Sequence, residues 1–471
     1  MRFVDVMHNY QKTAVKFMLD NRESGLFLDP GLGKTASFLL YIKLAKRFLR
    51  VKKTLLIAPK RVCYITWPGE FEKWPDFKGI SYTILHGPDK DKKLYEDHDI
   101  YIINPEGLKW LTSHLKGDRV HSFDVLCIDE STKFKNWSAK RTKMLKKMLK
   151  YFKRRHIMTG SPAPKNLIDV FPQMFMIDLG KSLGTSITRF RDAYYTYDKY
   201  KFQFNINDGC DAIIYNKIAP SILQMSAEDY LDLPDIIYNK IYVELEGKSK
   251  DIYKDLETQL FAEIEDDKVS LVNSAASYNA CKQVVSGALY HQEDYFPTGV
   301  KTVTKGHRKF YDIHKIKIDA LKDLISDLQG KPIMVAYAFN HELIRLQEEF
   351  GDVPYIGRGV DDKAGVKIAR DWNAGEIPVL FVHPASMSHG LNMQESGRNI
   401  CWFSLTDNFE EYEQLNRRIY RQGVDSNVTI HHIMARSTVD EVMYGRNLNK
   451  DKTQRSLKNA LKQYRDSKQK S

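Results

Sequence analysis

The chain has 471 residues, 42% of them hydrophobic and 28% charged, with a formal net charge of +12 at pH 7. That length leaves room for about two to four domains with cores of their own. No apolar run is long enough to span a bilayer, the amino terminus MRFVDVMHNYQKT lacks a signal-peptide core, and the five cysteines lack CxxC spacing, which disfavours a zinc site or disulfide framework. A cytoplasmic location is expected, or a nuclear one if the source is eukaryotic.

In chain order, the first informative stretch is Gly25–Thr35, GLFLDPGLGKT, a short apolar strand running into a glycine-rich loop. Gly31 and Gly33 let backbone N–H groups curl inward toward phosphate oxygens, with Leu32 between them. Lys34 offers an ammonium to β- and γ-phosphates, and the Thr35 hydroxyl suits Mg²⁺. A helix from about Thr35 to Phe48 would add its positive N-terminal end to the same site. The strict GxxxxGK[ST] pattern has glycine where Leu28 stands. Alone, the fragment is also compatible with a plain glycine turn before a helix.

Further apolar runs at Thr54–Ala58, Ile100–Asn104, Phe123–Asp129 and His156–Thr159 read as strands covered on both faces, alternating with helices. Pro59 and Pro105 close two of them, at the edge where α/β sheets bind ligands. The Phe123–Asp129 strand ends in adjacent acids, Asp129 and Glu130, which repel unless a cation lies near. Beside a phosphate loop, Asp129 is expected to hold Mg²⁺ and Glu130 to orient or deprotonate water.

Residues 133–155 carry eleven Lys or Arg and no acid, and residues 446–471 carry nine basic side chains and two acids. Such clustering points to a polyanion, nucleic acid first. An amphipathic helix burying Met144, Leu145, Met148, Leu149 and Phe152 explains the first cluster equally well. The last 26 residues read as a solvated or disordered arm.

Strand-and-helix alternation returns at Pro332–Ala338, Val379–His383, Asn399–Ser404 and Val428–Met434, with helices at Asp319–Leu328 and His341–Phe350. The span between, about 176–300, looks mostly helical from Lys248 to Ala288 and has no catalytic spacing. The expected domains are 1–175, a helical insertion at 176–300, 301–445, and a basic tail at 446–471. Near the end, Gln414, Arg418 and Arg421 are spaced four and three apart, so on a helix they share one face. Arginine suits phosphate because its planar fork stays charged.

Taken together, these blocks make the chain resemble superfamily 2 helicase motors, and specifically the Swi/Snf-type DNA-dependent ATPases. Tyr10-Gln11 resembles the glutamine motif, GLGKT the phosphate loop, and Leu56–Lys60 with Trp67 and Glu70–Trp74 the second block. Asn104-Pro-Glu106 precedes the acids, Asp129-Glu130-Ser-Thr132 stands where the family has DEAH, and Phe134-Lys135-Asn136 continues the match. Thr159-Gly-Ser-Pro162 is similar to TGTP, Ser386–Gln394 to the glycine–leucine–asparagine motif, and Gln414–Arg421 to the arginine motif. Leu28-Asp29-Pro30, Thr132, Arg417 and Tyr420 depart from the family pattern.

The resemblance implies two RecA-like parallel-sheet lobes in tandem around the insertion. ATP and Mg²⁺ would bind Gln11, Lys34, Thr35 and Asp129, with Arg418 and Arg421 arriving from the second lobe as arginine fingers and Gln414 on the nucleotide side. It further implies backbone contacts to DNA from Lys60, Asn104, Ser388 and His389, and a relay through Thr159 and Ser161. The expected partner is duplex, forked or branched DNA, no membrane is implied, and a monomer is compatible with it. Compactness like that of small bacterial and phage members favours fork or junction processing in replication, recombination or repair. A duplex translocase that displaces proteins, an RNA helicase, and a binding protein with a vestigial ATPase are the alternatives.

Overall fold

The computed structural model describes residues 2–115, 123–163, 166–198, 203–265, 271–291, 300–305, 308–387 and 391–469. Two compact units divide the chain, Met1–Asp232 with Lys450–Ser471, and Leu233–Asn449. Each contains a parallel sheet, so the expected α/β class with two parallel-sheet lobes holds.

The sheet of the first unit uses β1 (Glu23–Leu28), β2 (Thr54–Ile57), β3 (Tyr82–Ile84), β4 (Ile100–Ile103), β5 (Val125–Asp129) and β6 (Arg154–Thr159). A hairpin, β7 (Tyr195–Asp198) and β8 (Gln203–Ile206), stands apart, and β9 (Ile222–Met225) completes the sheet in the order β3-β4-β2-β5-β6-β1-β9. All its pairings are parallel. Side chains alternate between faces: Phe27 joins one apolar cluster, while Leu26 and Leu28 join another with Phe38 and Leu56. Burial on both sides is why these strands read as continuous apolar runs.

The span expected as a helical insertion instead contributes strands to both units. β9 lies beside β1, and the unit runs past the expected boundary at 175 to Asp232. Glycine makes the pairing possible: a Cβ on Gly25 would lie 2.4 Å from Ile222 Cδ1. Four residues are too few for a period to show in sequence, so β9 was hidden.

Two expectations about basic residues change as well. Arg154 is buried, donating to the carbonyls of Met18, Leu19 and Asn21. Its neighbour Arg155 is also buried, bonding Ile177 O and Phe152 O and pairing with Glu23. They tie the sheet to its helices instead of facing a polyanion. Upstream, Leu145, Met148, Leu149 and Phe152 enter the core while Lys143, Lys147 and Lys150 stay exposed. The tail is not a loose arm, for one helix runs Val439–Gln469, and Leu457 and Leu461 join the first unit's core. Leucines four apart stack on one helical face, a pattern too sparse to notice among lysines.

In the second unit, β10 (Ile236–Val243) is again drawn from the expected insertion, followed by the helices Gly247–Glu265 and Leu271–Val285. A small antiparallel sheet, β11 (Ala288–Tyr290), β12 (Lys301–Lys305) and β13 (Arg308–Asp312), comes next. The parallel sheet continues through β14 (Ile333–Ala336), β15 (Tyr355–Ile356), β16 (Val379–Val382), β17 (Asn399–Trp402) and β18 (Val428–Ala435). Its order is β10-β18-β17-β14-β16-β15. Among the described residues, no helix is long and apolar enough to cross a membrane.

Candidate functional site

In the first unit the sheet places three loops side by side at its carboxyl edge. β6 lies between β1 and β5, with Phe27 opposite Thr159 and Asp129 opposite Met158. The loop after β1 therefore sits one strand beyond the Thr159 loop and two from the acids, about 10 Å at ordinary strand spacing. Side chains of Lys34 and Asp129 can bridge that gap.

Between β1 and the Lys34–Leu49 helix, the loop turns on glycine. Gly31 has φ 95° and Gly33 φ 68°, left-handed values that other residues adopt at a cost. Gly33 also has no room for a side chain, because a Cβ there would lie 2.3 Å from Gln11 Nε2. Leu32 is fully buried and anchors the loop to the core. Lys34 is the first residue of the helix, with Thr35 next, so both stand at its positive end.

The Lys34 ammonium donates to Leu28 O at 2.7 Å and Asp29 O at 3.4 Å. Burial lowers its pKa, opposed by the carboxylates of Glu130, Asp129 and Asp29. Asp129 shows the complement: burial raises its pKa, while Lys34 and the Trp67 indole pull it back down. Trp67 Nε1 donates to Asp129 Oδ2 at 3.1 Å, and the Glu130 N–H to Oδ1 at 3.1 Å. Glu130 itself has φ 55°, a conformation a carboxylate side chain rarely adopts, which turns the chain sharply after β5. A buried carboxylate and a hydroxyl at a helix start are hard oxygen donors, and that set fits Mg²⁺ with waters completing its shell.

Gln11 lies 7% exposed in the Asn9–Asp20 helix, its Oε1 accepting from the His8 N–H at 2.9 Å and its Nε2 against Gly33. It thus joins the phosphate loop directly. Thr159 and Ser161 are buried, with the Ser161 N–H donating to Thr159 Oγ1 at 3.2 Å. The intervening Gly160 packs on the loop, since a Cβ there would sit 2.9 Å from Pro30 Cδ. Lys60 is exposed and Asn104 half-buried, beyond the adjacent strands β2 and β4 at the same edge. Asn104 Nδ2 donates to Glu106 Oε2 at 2.7 Å. Ser388 and His389 lie outside the described residues.

In the second unit the arginine motif departs from a single outward helical face. The helix Phe409–Ile419 stops before Arg421, whose pKa is lowered by burial and whose Nη1 bonds Asn392 Oδ1. Gln414 is buried, its Nε2 3.4 Å from Glu410 Oε1. Arg418 donates from Nε to Met387 O and from Nη1 to Leu391 O, both at 3.0 Å. The two arginines thus bond Met387, Leu391 and Asn392, which are close together in sequence. The extended backbone at Tyr420 (φ −82°, ψ 90°) swings Arg421 off the helical track, which a spacing argument assumes is continuous.

Three residues with no motif of their own join the first unit's site. Gln173 accepts from Ser131 Oγ at 2.6 Å and donates to Pro162 O at 2.6 Å, so it links the acid loop to the Thr159 loop. Asp29, two residues before Gly31, is 2% exposed and pairs with Lys458 at 2.6 Å. Only the departure of Leu28-Asp29-Pro30 from the family pattern hinted at Asp29, and no local signal marks Gln173 or Lys458.

Known proteins similar to this chain include a family and several relatives. The SNF2-related domain matches residues 10–293. Protein p41 of Acyrthosiphon pisum secondary endosymbiont phage 1 is 32% identical over 471 residues, covering 96% of this chain and 98% of that protein. An ATP-dependent helicase of Mycoplasma pneumoniae is 23% identical over 455 residues, 92% of this chain but 40% of that protein, so this chain spans well under half its length. Among solved structures, the Sulfolobus solfataricus SWI2/SNF2 ATPase core in complex with dsDNA is 22% identical and covers 96% of this chain and 94% of that one, with a TM-score of 0.44.

Proposed function

The chain belongs to the SNF2-related family of helicase-like ATPases, and on that premise we propose that it couples ATP hydrolysis to movement along DNA, remodelling forks or branched junctions. The observation that carries the chemistry is the Lys34 ammonium, resting on the carbonyls of Leu28 and Asp29 at a left-handed glycine loop and feeling the negative charge of Glu130 and Asp129. An ammonium resting on two loop carbonyls can exchange them for phosphate oxygens without crossing the site.

In this proposal the N–H groups of residues 31–35 and Lys34 take the phosphates, while Gln11 reads the adenine edge. Thr35 and Asp129 hold Mg²⁺, which when bound draws charge from the phosphates. Glu130, in the sharp turn that follows β5, orients the attacking water. Arg418 and Arg421 supply positive charge in the transition state, with Gln414 supporting them. Thr159 and Ser161 report the nucleotide's state, for Gly160 touches Pro30 of the phosphate loop. Lys60, Asn104, Ser388 and His389 contact the DNA backbone, supported by the exposed lysines of 143–150.

The deciding experiment measures ATP turnover without nucleic acid and with duplex, single-stranded and forked DNA and RNA, together with strand release from the fork. Forked or duplex DNA should stimulate turnover most, and the fork should yield a released or re-paired strand. Stimulation by duplex without strand release leaves a duplex translocase, preference for RNA moves the substrate class, and no turnover anywhere overturns the proposal.

A further inference from the structure

Residues from Lys450 onward return to the first unit as the end of a long helix, and they land on the phosphate loop. Lys458 Nζ lies 2.6 Å from Asp29 Oδ1, with Lys458 8% and Asp29 2% exposed. The other Asp29 oxygen accepts from the Ala227 N–H at 3.1 Å. Through its main chain, the same residue is a hub of the loop: Asp29 O accepts from Lys34 Nζ and from the Leu32 N–H at 3.3 Å. One residue is thus gripped on its side chain by Lys458 and grips the loop with its carbonyl.

The helix face that carries Lys458 makes further contacts nearby. One turn earlier, Gln454 Oε1 accepts from the Ala163 N–H at 3.3 Å, just after the Thr159–Pro162 segment. One turn later, Lys462 pairs with Asp229, and then Arg465 Nη1 donates to Gln224 O at 2.8 Å. A loose basic arm would not bury an ion pair, since desolvating two charges is costly unless each finds good partners. The pair sits where a shift of one peptide changes the direction of the loop's N–H groups.

We infer that Lys458 is a positioning residue for ATP: by holding Asp29 it sets the phosphate loop, so triphosphate affinity depends on the last helix of the chain. This rests on the ATPase reading above. Losing the grip lets residues 29–33 sample orientations in which fewer N–H groups converge on phosphate, and binding weakens before chemistry does. Because the effect runs through Asp29, it vanishes when Asp29 has already lost its charge.

The test uses the full chain as wild type, Lys458→Met, Lys458→Arg, Asp29→Asn and the Asp29→Asn/Lys458→Met double variant. KM and kcat for ATP with saturating DNA, the Kd of Mg·ATP by calorimetry, and the melting temperature are read together. Lys458→Met should raise KM and Kd about tenfold with kcat within about twofold, and Lys458→Arg should stay within about threefold of wild type. The double variant, which leaves no unpaired buried charge and so folds even if Lys458→Met does not, should match the single variants in KM instead of multiplying them. A folded double variant with wild-type KM overturns the inference. So does a lowered melting temperature with unmoved KM, which would make the pair structural only. Wild-type chain that neither binds nor hydrolyses ATP overturns the ATPase reading and this inference together, whereas normal wild-type turnover with unmoved KM in the variants removes this inference alone.

Discussion

Gly33→Ala sets two structural costs against one methyl group. The backbone at 33 has φ 68°, where an L side chain costs about 1–2 kcal/mol. The new Cβ would also stand 2.3 Å from Gln11 Nε2, too close for either atom to stay. If the glutamine yields, it loses the Oε1 bond to the His8 N–H that closes its helix, a net of about 0.5–1.5 kcal/mol. Together the first unit should lose about 1.5–3.5 kcal/mol, and ATP affinity should fall at least tenfold because both the loop and Gln11 move. Denaturant unfolding and ATP titration measure the two effects, each repeated in a Gln11→Ala background. There the methyl group meets no glutamine, so only the backbone cost of about 1–2 kcal/mol remains. An equal cost in both backgrounds, or unaltered stability and ATP affinity in Gly33→Ala, would refute the packing of Gln11 on the loop.

Other perturbations separate binding from chemistry. Lys34→Ala should abolish turnover while DNA binding persists, checked by ATPase assay and DNA titration; unchanged hydrolysis removes the phosphate-loop assignment. Arg418→Ala frees the Met387 and Leu391 carbonyls and should lower turnover and melting temperature together, and Arg421→Ala, which loses its bond to Asn392, should lower kcat by roughly 10³ or more. Glu130→Gln should bind ATP with near wild-type affinity yet hydrolyse it at least about a hundredfold more slowly; a loss of under threefold would return the water-orienting role to another residue. Acid should weaken the first unit through His156, which is fully buried between Ser24 Oγ and Tyr41 OH, its pKa pushed down to about 3 by burial. A depressed folded-state value means the neutral ring is favoured in the fold. Its contribution is therefore complete above about pH 6.5 and falls by roughly 1.4 kcal/mol per pH unit below that, until the folded value is reached. Unfolding at pH 7, 6, 5 and 4 checks the slope, and His156→Gln should flatten it.

Much of the candidate site was legible in local sequence because its requirements are local. A loop that turns on Gly31 and Gly33 and ends in Lys34-Thr35 needs only consecutive residues, and so does a buried strand closing on Asp129-Glu130. Doubly covered strands announce themselves as apolar runs, which is why β1, β2, β4, β5 and β6 were found to within a few residues. Short edge strands such as β3 and β9 have no such run, since partners on one side only and three or four residues leave almost no pattern.

What tertiary structure alone decided is which distant residues share a site and which charges are buried. Arg154, Arg155 and Lys458 look like nucleic-acid cations in sequence, yet their partners are carbonyls, Glu23 and Asp29 brought from elsewhere in the chain. The spacing of Gln414, Arg418 and Arg421 predicted a common face, but the helix ends at Ile419 and the fold places Arg421 on Asn392. The physical reason is the same throughout. Backbone geometry is written in neighbouring residues, whereas burial and ion pairing depend on long-range packing, to which single positions contribute no periodic signal.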